Sequence, residues 1–250
     1  MKHGRNLAWK LGVPATLLVI WQICAMAGWL HPMFFPPPAA IWRAGMQMVR
    51  SGELALNLWT TLTRAFLGFA VGAVPGVALG VWMGRAPKIR LAFEPFFASL
   101  NSTPRLVLFP VFMVLLGIND TARVLLVAVG SLTILAMHSL DAVRSVAPGY
   151  VELAVNYGYR GWGLFREVYF PACMPRLFTG FRTAIGRALV VEISAELLSS
   201  TNGMGSTIWL AWQTFSIDRL YVAVLIVAML GSAVHESLLF LERRAVPWKA

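Results

Sequence analysis

Charged side chains are scarce in this sequence. Only 13% of its 250 residues are Asp, Glu, Lys or Arg, whereas a soluble globular domain has about 25%. Hydrophobic residues make up 58% of the chain, and the mean hydropathy is +0.68. This composition excludes an ordinary soluble domain and predicts an all-α polytopic membrane protein. We expect a single domain over residues 1–250, with its core between residues 58 and 244.

Acidic residues are scarcer still, at 11 against 21 Lys and Arg, and the formal net charge is +10. Such a basic excess can indicate nucleic-acid binding, but here the basic residues lie between apolar runs and form no stripe. Basic cytoplasmic loops of a membrane protein explain the charge better. We therefore expect contact with the lipid bilayer and none with nucleic acid.

Cysteines and catalytic motifs are also few. Cys24 lies in an apolar run and Cys173 in a polar segment, so the sequence indicates no disulfide framework. The lack of any Gly-Lys dipeptide excludes a P-loop. There is no nucleophile elbow and no cluster of metal ligands, and the four histidines are scattered. We expect a non-catalytic chain that binds no cofactor or metal, with a polytopic enzyme as the weaker alternative.

Six apolar runs are long enough to cross the roughly 30 Å hydrocarbon core at about 1.5 Å per residue. They cover residues 11–30, 61–83, 93–118, 121–143, 177–198 and 220–241. The first run could instead be a signal peptide, because Ala25-Met26-Ala27 resembles a cleavage site. The apolar part of a signal peptide is usually only about 7–15 residues long. We therefore favour a span, and the retention of residues 1–27 stays open.

Basic residues divide unequally between the two sides that six spans define. With the N-terminus inside, the cytoplasmic segments contain Lys2, Arg5, Lys10, Arg85, Lys88, Arg90, Arg144, Arg160, Arg166, Arg243, Arg244 and Lys249. The external segments contain only Arg43, Arg50, Arg123 and Arg219, and Arg64 lies at a border. Membrane proteins carry excess Lys and Arg on the cytoplasmic side. We predict a multi-pass protein of the cell inner membrane with both termini in the cytoplasm.

Glycine recurs at every fourth position of the second run. The stripe consists of Gly68, Gly72, Gly76, Gly80 and Gly84. At 3.6 residues per turn these positions form a nearly straight line, along which another helix can approach closely. The general abundance of glycine in membrane helices does not explain so strict a period. We predict close helix packing along this line.

Polar residues interrupt two of the runs. Residues 101–105 break the third run, and broken backbone at membrane depth is tolerated where protein or a water-filled cavity satisfies it. Arg105 is therefore a candidate for the translocation path, although it could instead extend from a helix end to the interface. The fifth run contains Arg182, Glu192 and Glu196, which share an arc of roughly 80°, while Arg187 points elsewhere. These charges could line the path or form ion pairs within the bundle.

A polar island of residues 152–171 separates the fourth and fifth runs. Gly158 and Gly161 predict turns, because glycine adopts positive φ without steric strain, and Pro171 predicts the end of a helix. Between them lie large aromatic side chains, namely Tyr157, Tyr159, Trp162 and Phe165. Such a segment could dock into a protein groove or rest at the headgroup level as an interfacial belt.

The spacing within this island resembles a family motif. Glu152-Leu153-Ala154 is followed by three residues, Gly158, nine residues and Val168-Tyr169-Phe170-Pro171. This resembles the EAA loop of ABC-importer permeases, whose pattern is E-A-A, three residues, Gly, nine residues and I-x-L-P. Leu153 replaces the middle alanine, and Val168 and Phe170 replace the usual Ile and Leu. The resemblance implies a coupling loop over residues 145–175.

The resemblance extends over nearly the whole chain and narrows to one group of permeases. Pro104, Pro110 and Gly117 match a proline-rich segment of the aliphatic-sulfonate, taurine, nitrate and bicarbonate importers. Leu115-Leu116 stand where Trp-Phe is usual, and this departure weakens an assignment of substrate. Further resemblances to this group lie at Gly186-Arg187-Ala188, Glu196, Gly203-Met204-Gly205, Gln213-Thr214-Phe215 and Leu241-Glu242-Arg243-Arg244.

The resemblance implies a type I ABC-importer permease with six transmembrane helices and a cytoplasmic coupling helix between the fourth and fifth. Such a permease works as a pair, which we expect to be a homodimer, with an extracytoplasmic solute-binding protein. A cytoplasmic ABC ATPase subunit would bind ATP and Mg. The residues implied to contact it are Glu152, Ala154, Gly158, Tyr159, Trp162, Phe165 and Pro171. We expect import of a small anion, and an ion-coupled secondary transporter that uses the fifth-span charges is the alternative.

Overall fold

The structure is a computed structural model that describes residues 16–199 and 201–249, and all regular secondary structure in that part of the chain is helical. The helices are α1 (Thr16–Met26), α2 (Pro38–Arg50), α3 (Glu53–Arg85), α4 (Pro87–Ser102), α5 (Phe109–Leu116), α6 (Asp120–Arg144), α7 (Pro148–Asn156), α8 (Gly161–Leu164), α9 (Phe170–Ser199), α10 (Met204–Gln213) and α11 (Ile217–Ala245). Short 3₁₀ turns cover Arg105–Leu108 and Pro247–Lys249, and a π-helical turn covers Phe165–Tyr169.

Three helices are long and apolar enough to cross a membrane by themselves, namely α3, α6 and α11. A fourth span would be the pair formed by α4 and Arg105–Leu116, which is bent by 96° at the break. Helix α9 has 30 residues, which is long enough at about 1.5 Å per residue, but it is more highly charged. Residues 1–15, which include the start of the first predicted span, lie outside the described part. The number of six spans therefore stays a prediction.

One predicted helix boundary needs correction, and two shorter helices lie beside the long ones. Trp209 and Trp212 lie on one of the shorter helices, α10, with ring centroids 5.0 Å apart. Helix α3 begins at Glu53, eight residues before the predicted start at residue 61. The other shorter helix, α2, precedes α3 and is amphipathic, because it buries Ile41, Ala44 and Met48 on one face.

The glycine stripe of α3 lies against helix α6. A Cβ atom added to Gly76 would come 2.7 Å from the backbone oxygen of Leu132, and one added to Gly84 would come 2.6 Å from Val143 Cβ. Gly68, Gly72 and Gly80 have equally close neighbours on the same helix. The two helices therefore approach at a separation that leaves no room for a side chain on α3. This packing forms the centre of the bundle.

Leucine at Gly76 is expected to destabilise the fold much more than leucine at Ala78. The Gly76 side chain would collide with backbone atoms, which cannot rotate away, whereas Ala78 is exposed on the opposite face of α3. Overpacking of this kind costs about 1–3 kcal/mol or more. Thermal unfolding of the two purified variants in the same detergent measures the difference. Equal melting temperatures would show that the close approach is not required for stability.

The connections divide between two ends of the bundle. At one end, the Arg85 guanidinium lies 5.9 Å from the ring centroid of Phe165 and 5.6 Å from that of Tyr169. At the opposite end, Glu53 forms an ion pair with Arg219. The start of α6 and the connection between α9 and α10 lie at that same end, where Arg123 donates to the Ser199 carbonyl. The polar island and the loops rich in basic residues therefore occupy one end.

Labelling of single cysteines tests which end is cytoplasmic. Ser51 precedes α3 and Ser145 follows α6, and both are exposed. In a chain without Cys24 and Cys173, we expect a membrane-impermeant thiol reagent outside intact cells to label Ser51→Cys and not Ser145→Cys. Permeabilised cells provide the control, because both positions should then react. Equal labelling in intact cells would contradict the predicted orientation.

Candidate functional site

The first half of the polar island is a helix that ends in a Schellman motif. Helix α7 stops at Asn156, and Gly158 has φ +89°. The Gly158 amide donates to the Val155 carbonyl and the Tyr159 amide to the Ala154 carbonyl, each at 3.0 Å. This pair of hydrogen bonds satisfies the last carbonyls of the helix and needs a residue with positive φ. The spacing of Ala154 and Gly158 in the EAA-like pattern is therefore explained by the structure, because both residues belong to one helix cap.

The second half of the island is continuous with α9. Gly161, with φ +53°, begins the one-turn helix α8, and the π-helical turn Phe165–Tyr169 joins it to α9. The prediction that Pro171 ends a helix is therefore wrong. Pro171 is the second residue of α9, where the preceding backbone is π-helical and proline's missing N–H is accommodated.

The island exposes aromatic side chains at its tip. Trp162 is 74% exposed and Tyr159 is 45% exposed. The ring of Trp162 stacks on that of Phe165, with centroids 5.2 Å apart, and Phe165 in turn lies beside Arg85 of α3. Glu152 is exposed and forms no ion pair with the described residues. An aromatic surface of this kind, next to a free carboxylate, is suited to a protein partner.

A shallow apolar groove of about 460 Å³ lies beside this surface. Helix α7 contributes Leu153 and Ala154, and the start of α9 contributes Pro171. Trp248, from the C-terminal 3₁₀ turn, closes one side of the groove. The motif residues Ala154 and Pro171 thus line one groove, although they are 17 positions apart in the sequence.

At the other end of the bundle, a buried carboxylate joins three helices. Glu196 of α9 is 1% exposed. Its oxygens accept hydrogen bonds from the Thr61 hydroxyl at 2.9 Å and the Gly205 amide at 2.9 Å. The Arg64 guanidinium forms an ion pair with it at 3.2 Å. The carboxylate is therefore both neutralised and hydrogen-bonded, as a buried charge must be to persist in low dielectric.

Neighbouring side chains extend this network to the start of α10. Asn57 Oδ1 accepts from the Gly203 amide at 2.8 Å, and the Thr61 oxygen accepts from the Met204 amide at 2.9 Å. Arg64 also donates to Asn202 Oδ1 at 2.6 Å and pairs with Asp120 at 2.7 Å. We call the set Asn57, Thr61, Arg64, Asp120, Arg123, Glu196 and Asn202 the buried latch. Asp120 and Asn202 form its exposed edge.

Sequence reasoning missed most of the latch. Arg64 was placed at a border and Arg123 outside the membrane, and both are in fact buried, at 5% exposure. The sequence did not indicate a role for Thr61 or Asn57, because an isolated polar residue near a helix end is common in membrane proteins. The useful signal was electrostatic, since two buried acids on the fifth run require cations on another helix.

The remaining charges of α9 do not converge on Glu196. Arg182 forms an ion pair at 3.3 Å with Glu242 of α11. Glu192 is fully buried, yet its carboxylate oxygens accept no hydrogen bond from a described residue. Arg187 is exposed on another face. Charged residues that share one arc of α9 thus lie in different environments, because different helices pack against them.

Arg105 lies at the 96° break and lines a cavity of about 500 Å³ together with Arg187. Its Nη2 donates to Asn101 Oδ1 at 2.7 Å. The side chain passes over Gly130 of α6, where an added Cβ would come 2.8 Å from Arg105 Cδ. Arg105 is therefore half-buried, with its side chain packed against α6 and its guanidinium hydrogen-bonded at an exposed position.

Residues 76–246 match the family model of the binding-protein-dependent transport system inner membrane component. The chain belongs to this family. It is 30% identical to a protein of Escherichia coli named as the aliphatic sulfonates transport permease SsuC, with 94% of this chain and 90% of that protein covered. It is 26% identical to the taurine transport system permease TauC of the same organism, over 98% and 95% of the two chains.

A solved structure of the MetNI methionine ABC transporter in an inward-facing conformation has the same fold. The TM-score is 0.67 over 75% of this chain and 93% of the transporter chain, at 18% identity. The expected all-α fold of a type I ABC-importer permease is therefore confirmed. As a member of this family, the chain is a multi-pass inner-membrane permease of an ABC importer, and the secondary-transporter alternative is not supported.

Proposed function

We propose that this chain forms the translocation path of an ATP-driven importer for a small anion and is driven through its polar island. A cytoplasmic ABC ATPase subunit binds ATP and Mg and docks on Glu152, Tyr159, Trp162 and Phe165. The observation that carries this proposal is the capped helix α7, because Gly158 holds an exposed aromatic tip in one orientation at the end of α9. A second copy of this chain and an extracytoplasmic binding protein complete the importer.

Coupling requires that the docked segment move with the helices that line the path. The island is continuous with α9 through the π-helical turn, and Arg85 joins it to the end of α3. A displacement at the ATPase surface is therefore transmitted directly to two long helices. A ligand or nucleotide shifts such an equilibrium only through contacts that differ between the two states, and the island supplies them.

The charges within the bundle have two different roles in this proposal. The buried latch stabilises the packing of α3, α6, α9 and α10, since its acids and bases are paired with one another. Arg105 belongs to the translocation path, because it lines a cavity at the break in the backbone. Arg182 has a partner in Glu242, so we assign it to the bundle and not to the path.

A sulfonate or a similar oxyanion is the proposed substrate class. The relatives named above transport aliphatic sulfonates and taurine by their names, and the substrates of both contain a sulfonate group. The cavity beside Arg105 is positively charged, as an anion pathway requires.

Uptake by the reconstituted importer tests the proposal. The chain is purified with its ATPase subunit, placed in vesicles and supplied with its binding protein and labelled ethanesulfonate or taurine. We expect uptake that needs hydrolysable ATP and persists when ion gradients are dissipated. Uptake that needs no ATPase subunit and stops with the proton gradient would contradict the importer mechanism.

A further inference from the structure

Two arginines face one cavity whose lining contains no carboxylate. The cavity lies between the break after α4 and the middle of α9, and Arg105 lines it from the break and Arg187 from α9. Its volume of about 500 Å³ lies within the range of roughly 300–1,000 Å³ that is usual for small-molecule sites. The remaining lining residues are apolar or uncharged.

Neither guanidinium forms an ion pair within residues 16–199 and 201–249. Arg105 donates only to the neutral Asn101 side chain, and its buried Nε has no acceptor in that part of the chain. The other arginines within the bundle differ, since Arg64, Arg123 and Arg182 are all paired with acids. Cations at membrane depth normally have such partners because isolated charge is costly there.

The surroundings of the two arginines keep the cavity open. Glycine at position 130 leaves the space that the Arg105 side chain occupies. Gly186 lines the cavity beside Arg187, and a Cβ atom added to it would meet nothing within 4 Å. The lining also includes the apolar side chains of Leu106, Val190 and Val191. The site thus combines two cations with a short apolar wall.

We propose that Arg105 and Arg187 form an oxyanion subsite that holds the sulfonate group of an alkanesulfonate during its passage. This inference rests on the proposed function and specifies the residues and the substrate class. Guanidinium groups bind planar or tetrahedral oxyanions through paired hydrogen bonds. An anion between the two arginines removes their mutual repulsion, and the apolar wall accommodates a short alkyl chain.

The same geometry discriminates between two sulfonates of similar size. Ethanesulfonate carries one negative charge and an alkyl tail. Taurine carries an additional ammonium group, which would lie in a cavity that contains two arginines and no carboxylate. Like charges in low dielectric repel strongly. The subsite therefore favours ethanesulfonate over taurine.

Single substitutions test the subsite in the complete importer. Arg105→Gln and Arg187→Gln remove one charge each, Arg187→Lys retains the charge, and Gly186→Val fills the cavity without changing charge. Lys88→Gln is the matched control, because Lys88 is exposed in the first turn of α4 and does not line the cavity. We expect both Gln variants and Gly186→Val to lower ethanesulfonate uptake by about tenfold or more, with Arg187→Lys less affected and the control unchanged.

A binding measurement on the full chain alone separates this inference from the importer function. We expect ethanesulfonate to raise the melting temperature of the purified chain in nanodiscs more than taurine does, and the shift to vanish in Arg105→Gln and Arg187→Gln. That result supports the subsite even if the reconstituted importer proves not to transport ethanesulfonate. If the importer transports ethanesulfonate and both Gln variants transport it equally well, the importer function stands and the subsite is overturned. A parent chain without any sulfonate-induced shift also overturns it.

Discussion

Valine at Gly158 is expected to abolish coupling to the ATPase while the chain still inserts in the membrane. Gly158 has φ +89°, a conformation that costs a β-branched residue about 1–3 kcal/mol. No atom lies within 4 Å of a Cβ added there, so the effect comes from the backbone alone. The strained cap would open, and the aromatic tip of the polar island would lose its orientation.

Two further variants distinguish backbone strain from added bulk. Gly149 lies in α7, in open space and without positive φ, so Gly149→Val should retain coupling. Gly158→Asn should recover part of it, because asparagine tolerates positive φ better than other residues do. The measurements are pull-down of the ATPase subunit and substrate-stimulated ATP hydrolysis in vesicles. Normal coupling in Gly158→Val would identify the island as an interfacial belt.

The same assays examine the aromatic tip. Trp162 is 74% exposed and stacks on Phe165, which makes it the largest apolar surface that the tip offers to a partner. Replacement by alanine should weaken ATPase binding by about 2 kcal/mol or more, as the loss of an aromatic anchor does. Trp42, which is 72% exposed on α2, provides a control that should not affect the pull-down.

Glutamine at Glu196 is expected to destabilise the chain strongly. The carboxylate accepts from Thr61, Arg64 and the Gly205 amide. A glutamine would leave Arg64 with the exposed Asp120 in place of its buried counter-charge and would direct an NH₂ group at other donors. Breaking a buried ion pair in this way costs about 3–5 kcal/mol. Thermal unfolding of the purified variant measures the loss.

Glu192→Gln is the matched control, one helical turn before Glu196. Glu192 is equally buried, but its oxygens accept no hydrogen bond from the described residues. The exchange removes no contact seen in the structure, so we expect a change in stability below about 1 kcal/mol. Equal losses for both variants would show that burial of the charge, and not its hydrogen bonds, decides stability.

The fold could be predicted where the signal is periodic or compositional. Apolar runs predicted most of the long helices. The four-residue spacing of glycines in α3 predicted close packing against another helix, and that helix is α6. The spacing of Ala154 and Gly158 indicated a turn, and the structure shows why, because both residues belong to one helix cap. Such features depend on interactions that are local in sequence.

The features that could not be predicted from the sequence depend on which helices pack against one another. Glu196 and Arg64 are 132 positions apart, and neither position predicts the other. Arg105 and Arg187 meet only because the backbone bends by 96° after α4. Pro171 was misjudged because a π-helical turn, which has no clear sequence signature, allows the helix to continue.

The glycine stripe has a mechanical consequence. At Gly72 and Gly76 the stripe faces the backbone of α6, and at Gly68 and Gly84 it faces the β-branched side chains of Val127 and Val143, which have few rotamers. We therefore expect this pair of helices to move as one rigid unit. Its ends are Arg85, beside the polar island, and Arg64, in the buried latch. A displacement at one end of this pair is therefore expected to displace the other end as well. We therefore expect the bending that opens and closes the proposed path to occur at the break after α4.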